Sequence, residues 1–176
     1  SCAVAGVASA RGRGPTFDAR ADGYARAEAC GACGLLRASK ETAVSERALR
    51  GSCVRQDGRS ASLTAPNGQA QRARLSASRA DGSGAAGELS CAEAHGTGTA
   101  LGDPIEARSL AVAVLVDRGD SSEAVLHGDK ANSGHAEPTA GLVGLLALSS
   151  ALVRGSGSQN AQLRALNPHV SAGAVQ

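Results

Sequence analysis

Cys91-Ala92-Glu93-Ala94-His95-Gly96-Thr97-Gly98-Thr99-Ala100-Leu101-Gly102-Asp103-Pro104-Ile105-Glu106 holds three structural signals in sixteen residues. A short apolar run ends at a histidine, a Gly/Thr turn follows, and a helix start closes the stretch. Glu93 and His95 lie two apart, so an extended segment points both to one face. Glycines at 96, 98 and 102 allow tight turning and a close approach to the backbone. Asp103 suits an N-cap, Pro104 the first helical position and Glu106 the third, which predicts that the helix begins there.

On either side of this stretch, the spacing predicts a central strand over 88–94 and a helix over 104–116, with Ile105, Leu110, Ala113 and Val114 on one face and Gly119 ending it. A short buried strand over 124–127 leads to Lys130. A strongly apolar helix over 141–153 follows and is expected to be covered on most sides, with Gly155-Ser-Gly157 as a hinge. Upstream, strands are expected over 2–7, 29–36 and 47–55, a loop over 39–46, and a helix with a thin apolar stripe over 66–80. Strands alternating with helices argue a layered α/β fold.

The 176 residues suffice for one domain or a piece of a larger one. The chain has no Met, so it is expected to be processed, excised or incompletely sequenced. One Phe, one Tyr and no Trp leave Leu, Val and Ala to build the core, and marginal stability is expected. A net charge of +2 with scattered arginines gives no footprint for nucleic acid. No segment approaches the ~18 apolar residues of a membrane span. Only Lys40 and Lys130 are lysines, so Lys130 stands out. Cysteines 2, 30, 33, 53 and 91 are odd in number with no secretory signal, which points to reduced thiols and a cytoplasmic location. Cys30-x-x-Cys33 lacks a second ligand pair, and both are read as small core residues rather than zinc ligands.

The string from Glu93 to Ala107, together with Gly128-Asp-Lys130-Ala-Asn132-Ser-Gly134-His135-Ala-Glu137, closely resembles the C-terminal half of a β-ketoacyl synthase, specifically the ketosynthase domain of a modular type I polyketide synthase. Residues 17–24, 56–60 and 63–68 resemble three further signatures of that domain, in the same order. The resemblance implies a thiolase-like αβαβα sandwich, present mainly as its C-terminal half. Residues 1–50 would end the first half, and 51–176 would form most of the second. The family's loop before Phe17 looks shortened here. Ala27 and Ala29 replace its glycines, which would strain the following segment if positive φ were needed.

The family catalyses decarboxylative Claisen condensation, and its two active-site histidines correspond to His95 and His135. Lys130 and Glu137 match its lysine and glutamate, expected as a partly buried ion pair near the second histidine. Thr97 and Thr99 match the hydroxyls that contact phosphopantetheine carried by an acyl carrier protein, and Asn132 is read as structural. The resemblance implies no cofactor bound by the chain itself, other polyketide synthase domains as partners, and a homodimer in the full-length domain. No Ala-Cys-Ser-Ser string, the family's nucleophile elbow, occurs in the sequence. Other readings stay open: a non-catalytic ketosynthase-like partner or decayed copy, a dinucleotide site at Gly96-x-Gly98-x-x-x-Gly102 with a spacing one residue too long, and a metal site of His95, Asp103 and His135.

Overall fold

A computed structural model describes residues 6–37, 47–62, 65–84, 88–115 and 124–174. Most of the strand expected over 2–7, the loop over 39–46 and the helix stop at Gly119 lie outside the described residues.

The central strand β1, Cys91–Glu93, pairs in parallel with β2, Val125–His127, in the register Cys91↔Val125, Ala92↔Leu126, Glu93↔His127. Parallel pairing needs a crossover, and the helix α2, Gly102–Leu110, lies in it and runs on as a π-helical turn, Ala111–Leu115. Before β1, α1 spans Gly68–Asp81. Its N-cap Asn67 accepts from the amides of Gln69 and Ala70, satisfying two donors that the helix cannot. After β2 come a single turn α3, Lys130–Ser133, a 3₁₀ turn, Glu137–Thr139, then α4, Ala140–Arg154, and α5, Pro168–Ala174. Gly155, expected as a hinge, is instead the left-handed C-cap of α4 at φ 65°.

Helix α2 packs on α1 and on α5, while α4 packs on β1, where Gly144 gives Glu93 room. The core is small: Phe17, Ala94, Ala107 and Val170 are buried together with Leu126 against them. Four distant segments meet at Phe17, the chain's only phenylalanine.

Several expectations fail here. No strand forms over 29–36 or 47–55 among the described residues. Ala and Gly have weak strand preference, and Gly31 lies on Leu142 and Leu146 of α4 instead of entering a ladder. Cys30 and Cys33 are exposed rather than core residues. Ala27 and Ala29 do not adopt positive φ, so the expected strain is absent. The apolar α4 is not covered on most sides: Ala140 and Ala151 are buried, but Leu145 is 45% and Leu152 57% exposed. Composition alone marked that helix as buried, whereas among the described helices and strands only β1 and the 3₁₀ turn pack closely along it, joined by the irregular segment at Gly31.

Candidate active site

β1 delivers His95 into the Gly/Thr turn, and the turn is held from α2. Glu106 accepts from the amides of His95 at 2.6 Å and Gly96 at 2.8 Å with its two oxygens. One turn back, Asp103 accepts from Gly98 N at 3.0 Å and from Phe17 N at 2.7 Å. Residues three apart share a helix side, so the two carboxylates act along one line. Asp103 is therefore not the N-cap. The helix already starts at Gly102, and Thr99 Oγ1 accepts from Gly102 N at 3.1 Å. The fully buried Asp103 spends one acceptor on the preceding turn at Gly98 and the other on the remote Phe17 instead. Burial pushes its carboxyl up to about 6 against the opposing amide bonds.

Glu93 and His95 do not stay on one side. The strand stops at Glu93, so alternation no longer governs residue 95. Glu93 accepts from Asp129 N at 2.7 Å beside α4, and burial raises its carboxyl. His95 faces His135.

His135 reaches the site from another element. Its amide donates to Ala25 O at 2.7 Å and its carbonyl accepts from Ala27 N at 3.0 Å, a short parallel bridge to the segment at Arg26. Gly134 makes the preceding turn at φ 80°, and a Cβ there would sit 2.8 Å from Ala27 Cβ. The His135 ring lies 5.5 Å from that of His95, edge-on, and 4.8 Å from Tyr24. Its Nδ1 accepts from Glu137 N at 3.0 Å. The neutral ring therefore carries its proton on Nε2.

Lys130 is buried on α3. Desolvation lowers its ammonium, opposed by the charges of Glu106 and Glu93. Burial first, then Lys130, lowers both His95 and His135 from the usual imidazole value, and Arg74 adds to the effect at His95. The expected Lys130–Glu137 ion pair is absent. Glu137 instead binds Arg26 at 2.9 Å, because it opens the next turn along the edge occupied by residues 25–27, while α3 turns Lys130 inward. Glu137, at φ 49°, is also one of the few residues other than glycine with positive φ.

A cavity of about 620 Å³ is lined by His95, His135, Thr97, Thr99, Tyr24 and Arg74 among others. The two threonine hydroxyls lie 3.3 Å apart. Asn132 binds the chain at Gln159 and Ala161, in keeping with a structural part. Among the described residues no cluster of His, Cys, Asp and Glu could hold a metal, and Asp103 has both oxygens engaged by amides. The metal reading falls. The cavity combines two adjacent neutral imidazoles as hydrogen-bond donors with flanking hydroxyls, a set suited to stabilising negative charge on one oxygen. The sequence motifs drew attention to His95, His135, Thr97 and Thr99, which all line the cavity, whereas Tyr24 figured only within the 17–24 signature and Arg26 and Arg74 gave no signal. Sequence reasoning misread Asp103 and Glu106, whose partners lie on other elements.

A family model for the β-ketoacyl synthase C-terminal domain matches residues 47–164. The chain is 41% identical over 174 residues to a phenolphthiocerol/phthiocerol polyketide synthase protein of Mycobacterium tuberculosis, covering 97% of the chain and 8% of that protein. It is 39% identical over 168 residues to a second component of the same synthase in that species, covering 94% and 9%. It thus spans less than a tenth of these curated relatives. Among solved structures, the oxazolomycin ketosynthase domain of Streptomyces albus matches at TM-score 0.85 with 28% identity, covering 98% of this chain and 30% of that one. The ketosynthase from module 1 of the Bacillus amyloliquefaciens bacillaene synthase matches at 0.81 with 26% identity, covering 93% and 30%. The fold is accordingly thiolase-like, here a partial α/β domain with a small parallel sheet.

Proposed function

We propose, since this chain belongs to the β-ketoacyl synthase family through its C-terminal domain, that it supplies the decarboxylation and condensation half of a polyketide ketosynthase site. The observation that carries this is the 5.5 Å approach of His95 and His135 on one cavity wall.

In this reading a malonyl thioester enters with its carbonyl oxygen between the two rings. The C–C bond to the carboxylate breaks, carbon dioxide leaves, and the electron pair moves into the enolate, whose oxygen accepts from both imidazole N–H groups. Each such donor contributes ~3–4 kcal/mol in the transition state. The depressed imidazoles stay neutral near neutral pH and donate without transferring their protons. The enolate carbon then attacks an acyl thioester, forming the new C–C bond and releasing a cysteine thiolate. The Ala-Cys-Ser-Ser elbow does not occur in these 176 residues, so the described chain does not supply that cysteine.

Burial lowers both imidazoles and Lys130 adds to that lowering, while Glu137 positions His135 through its amide. Thr97 and Thr99 offer hydroxyls to the amides of a phosphopantetheine arm. The substrates come on an acyl carrier protein, in a cytoplasmic polyketide synthase whose other domains are partners and whose full-length ketosynthase domain is a homodimer. The chain binds no cofactor of its own. The division at residue 50 into the end of one half-domain and the body of the next belongs to the same reading.

Carbon dioxide release from malonyl carrier protein and acyl loading, measured separately in a ketosynthase that contains this chain, test the reading. His95→Ala should slow decarboxylation by about a hundredfold or more and spare acyl loading. Decarboxylation at the parent rate would favour a non-catalytic partner instead.

A further inference from the structure

A separate cavity of about 510 Å³ shares only Pro66 with the histidine cavity. No lining residue is acidic, yet three arginines from three elements line it: Arg59 from the loop before α1, Arg72 from α1 and Arg108 from α2. Among the described residues none of these guanidiniums makes an ion pair or a side-chain hydrogen bond. The acids nearby in sequence bind backbone amides rather than these guanidiniums, although Asp57 does so at Asn67, a residue of the cleft wall. Glu106 grips the His95 and Gly96 amides, Asp103 those of Gly98 and Phe17, and Asp57 that of Asn67. The first turn of α1 has no acidic residue.

The cleft is built by close packing. Gly68 lets α1 approach α2 so nearly that a Cβ would lie 3.3 Å from both Ile105 Cγ2 and Ser109 Oγ, and that hydroxyl donates to Gly68 O at 3.2 Å. The seam brings Arg72 and Arg108 to one cleft. Three guanidiniums with no ion-pair partner among the described residues repel one another, and a multiply charged anion reverses the sign of that interaction. Guanidinium forks match phosphate oxygens in pairs. The volume lies within the ~300–1,000 Å³ of small-ligand sites, and Pro66 and Ile105 add apolar surface for an organic portion.

We propose that this cleft binds a diphosphate group, free or as an ester, independently of the histidine site. Calorimetric titration of the full chain with pyrophosphate should show saturable one-site binding. Arg72→Gln and Arg108→Gln should each weaken it tenfold or more, while Arg154→Gln, at the exposed end of α4, and His95→Ala should leave it unchanged. Because the altered arginines make no internal bonds, the variants should melt like the parent chain, and Arg59→Gln on the exposed loop provides a third. ADP binding more tightly than pyrophosphate identifies an ester as the ligand, and equal affinity identifies the diphosphate group alone. Absence of saturation at millimolar pyrophosphate, or equal weakening by Arg154→Gln, overturns the proposal, as scattered surface arginines would give only that.

Discussion

The backbone amide of Glu137 donates to Nδ1 of His135 at 3.0 Å, while the Glu137 carboxylate turns away to Arg26 at 2.9 Å. The residue therefore acts on the imidazole through its main chain. Glu137→Gln removes only an exposed ion pair, worth under about 1 kcal/mol. The His135 ring nitrogens, read by nitrogen-15 NMR, should keep the Nε2–H tautomer in that variant. A switch to Nδ1–H would show that the carboxylate matters to the site after all.

Burial lowers both imidazoles, Lys130 adds to the lowering through space, and His95 adds a further part at His135. Lys130→Gln should raise the titration midpoints of both rings, and His95→Ala should raise that of His135. With folded values below the ordinary imidazole value, the unfolded chain binds protons more readily, so stability should fall as pH drops through about 6.5 and below. Ring-proton NMR titrations with midpoints unmoved by Lys130→Gln would remove the lysine from the site's electrostatics.

Asp103 joins the Gly/Thr turn to Phe17 from inside the core. Asp103→Ala strands two buried amides and should cost about 2–4 kcal/mol in denaturant unfolding. Its carboxyl is raised from 3.8 to about 6, so the folded state holds the proton more tightly than the unfolded one. Its contribution is fully present below 3.8 and is lost as pH rises through about 6. Asp103→Asn should flatten that part of the stability profile, and an unchanged profile contradicts the assignment.

Gly96 turns at φ 50°, and a Cβ there would meet Thr16 Cγ2 at 2.7 Å. Gly96→Ala combines left-handed strain with a clash and should destabilise the chain by about 1–3 kcal/mol. Thr16→Ser removes the opposing methyl and should recover part of the loss in the double variant. Additive effects in thermal melts would mean that the contact is not the cause.

Asp18, wholly buried, accepts from the Arg20 guanidinium and from the amides of Arg164 at 2.6 Å and Ala165 at 3.1 Å. The guanidinium, with help from these amides, holds its carboxyl well below the usual range, so its stabilisation persists until strongly acid pH. Asp18→Asn should release the segment at 164–165 and speed its amide hydrogen exchange severalfold over the rest of the chain. Uniform exchange rates would count against a local anchor.

The elements legible in the sequence are those whose causes are local. The helix over 68–81 showed as a thin apolar stripe in a motif that resembles a known domain, the parallel strands at 91–93 and 125–127 as short apolar runs, and α4 by its apolar composition. His95, His135, Thr97 and Thr99 could also be named, because their motifs resemble a known domain. What depends on partners distant in the chain was left to the tertiary structure. Nothing in the spacing of Asp103 says that its carboxylate will hold Phe17 rather than cap a helix, and nothing in Glu137 says that Arg26 will displace Lys130 as its partner. A segment such as 29–36 looks like a strand until packing offers it the side of α4 and no neighbour to pair with. Periodicity and capping report interactions within a few residues, whereas carboxylate partners, burial and ladder pairing are fixed only when remote segments meet.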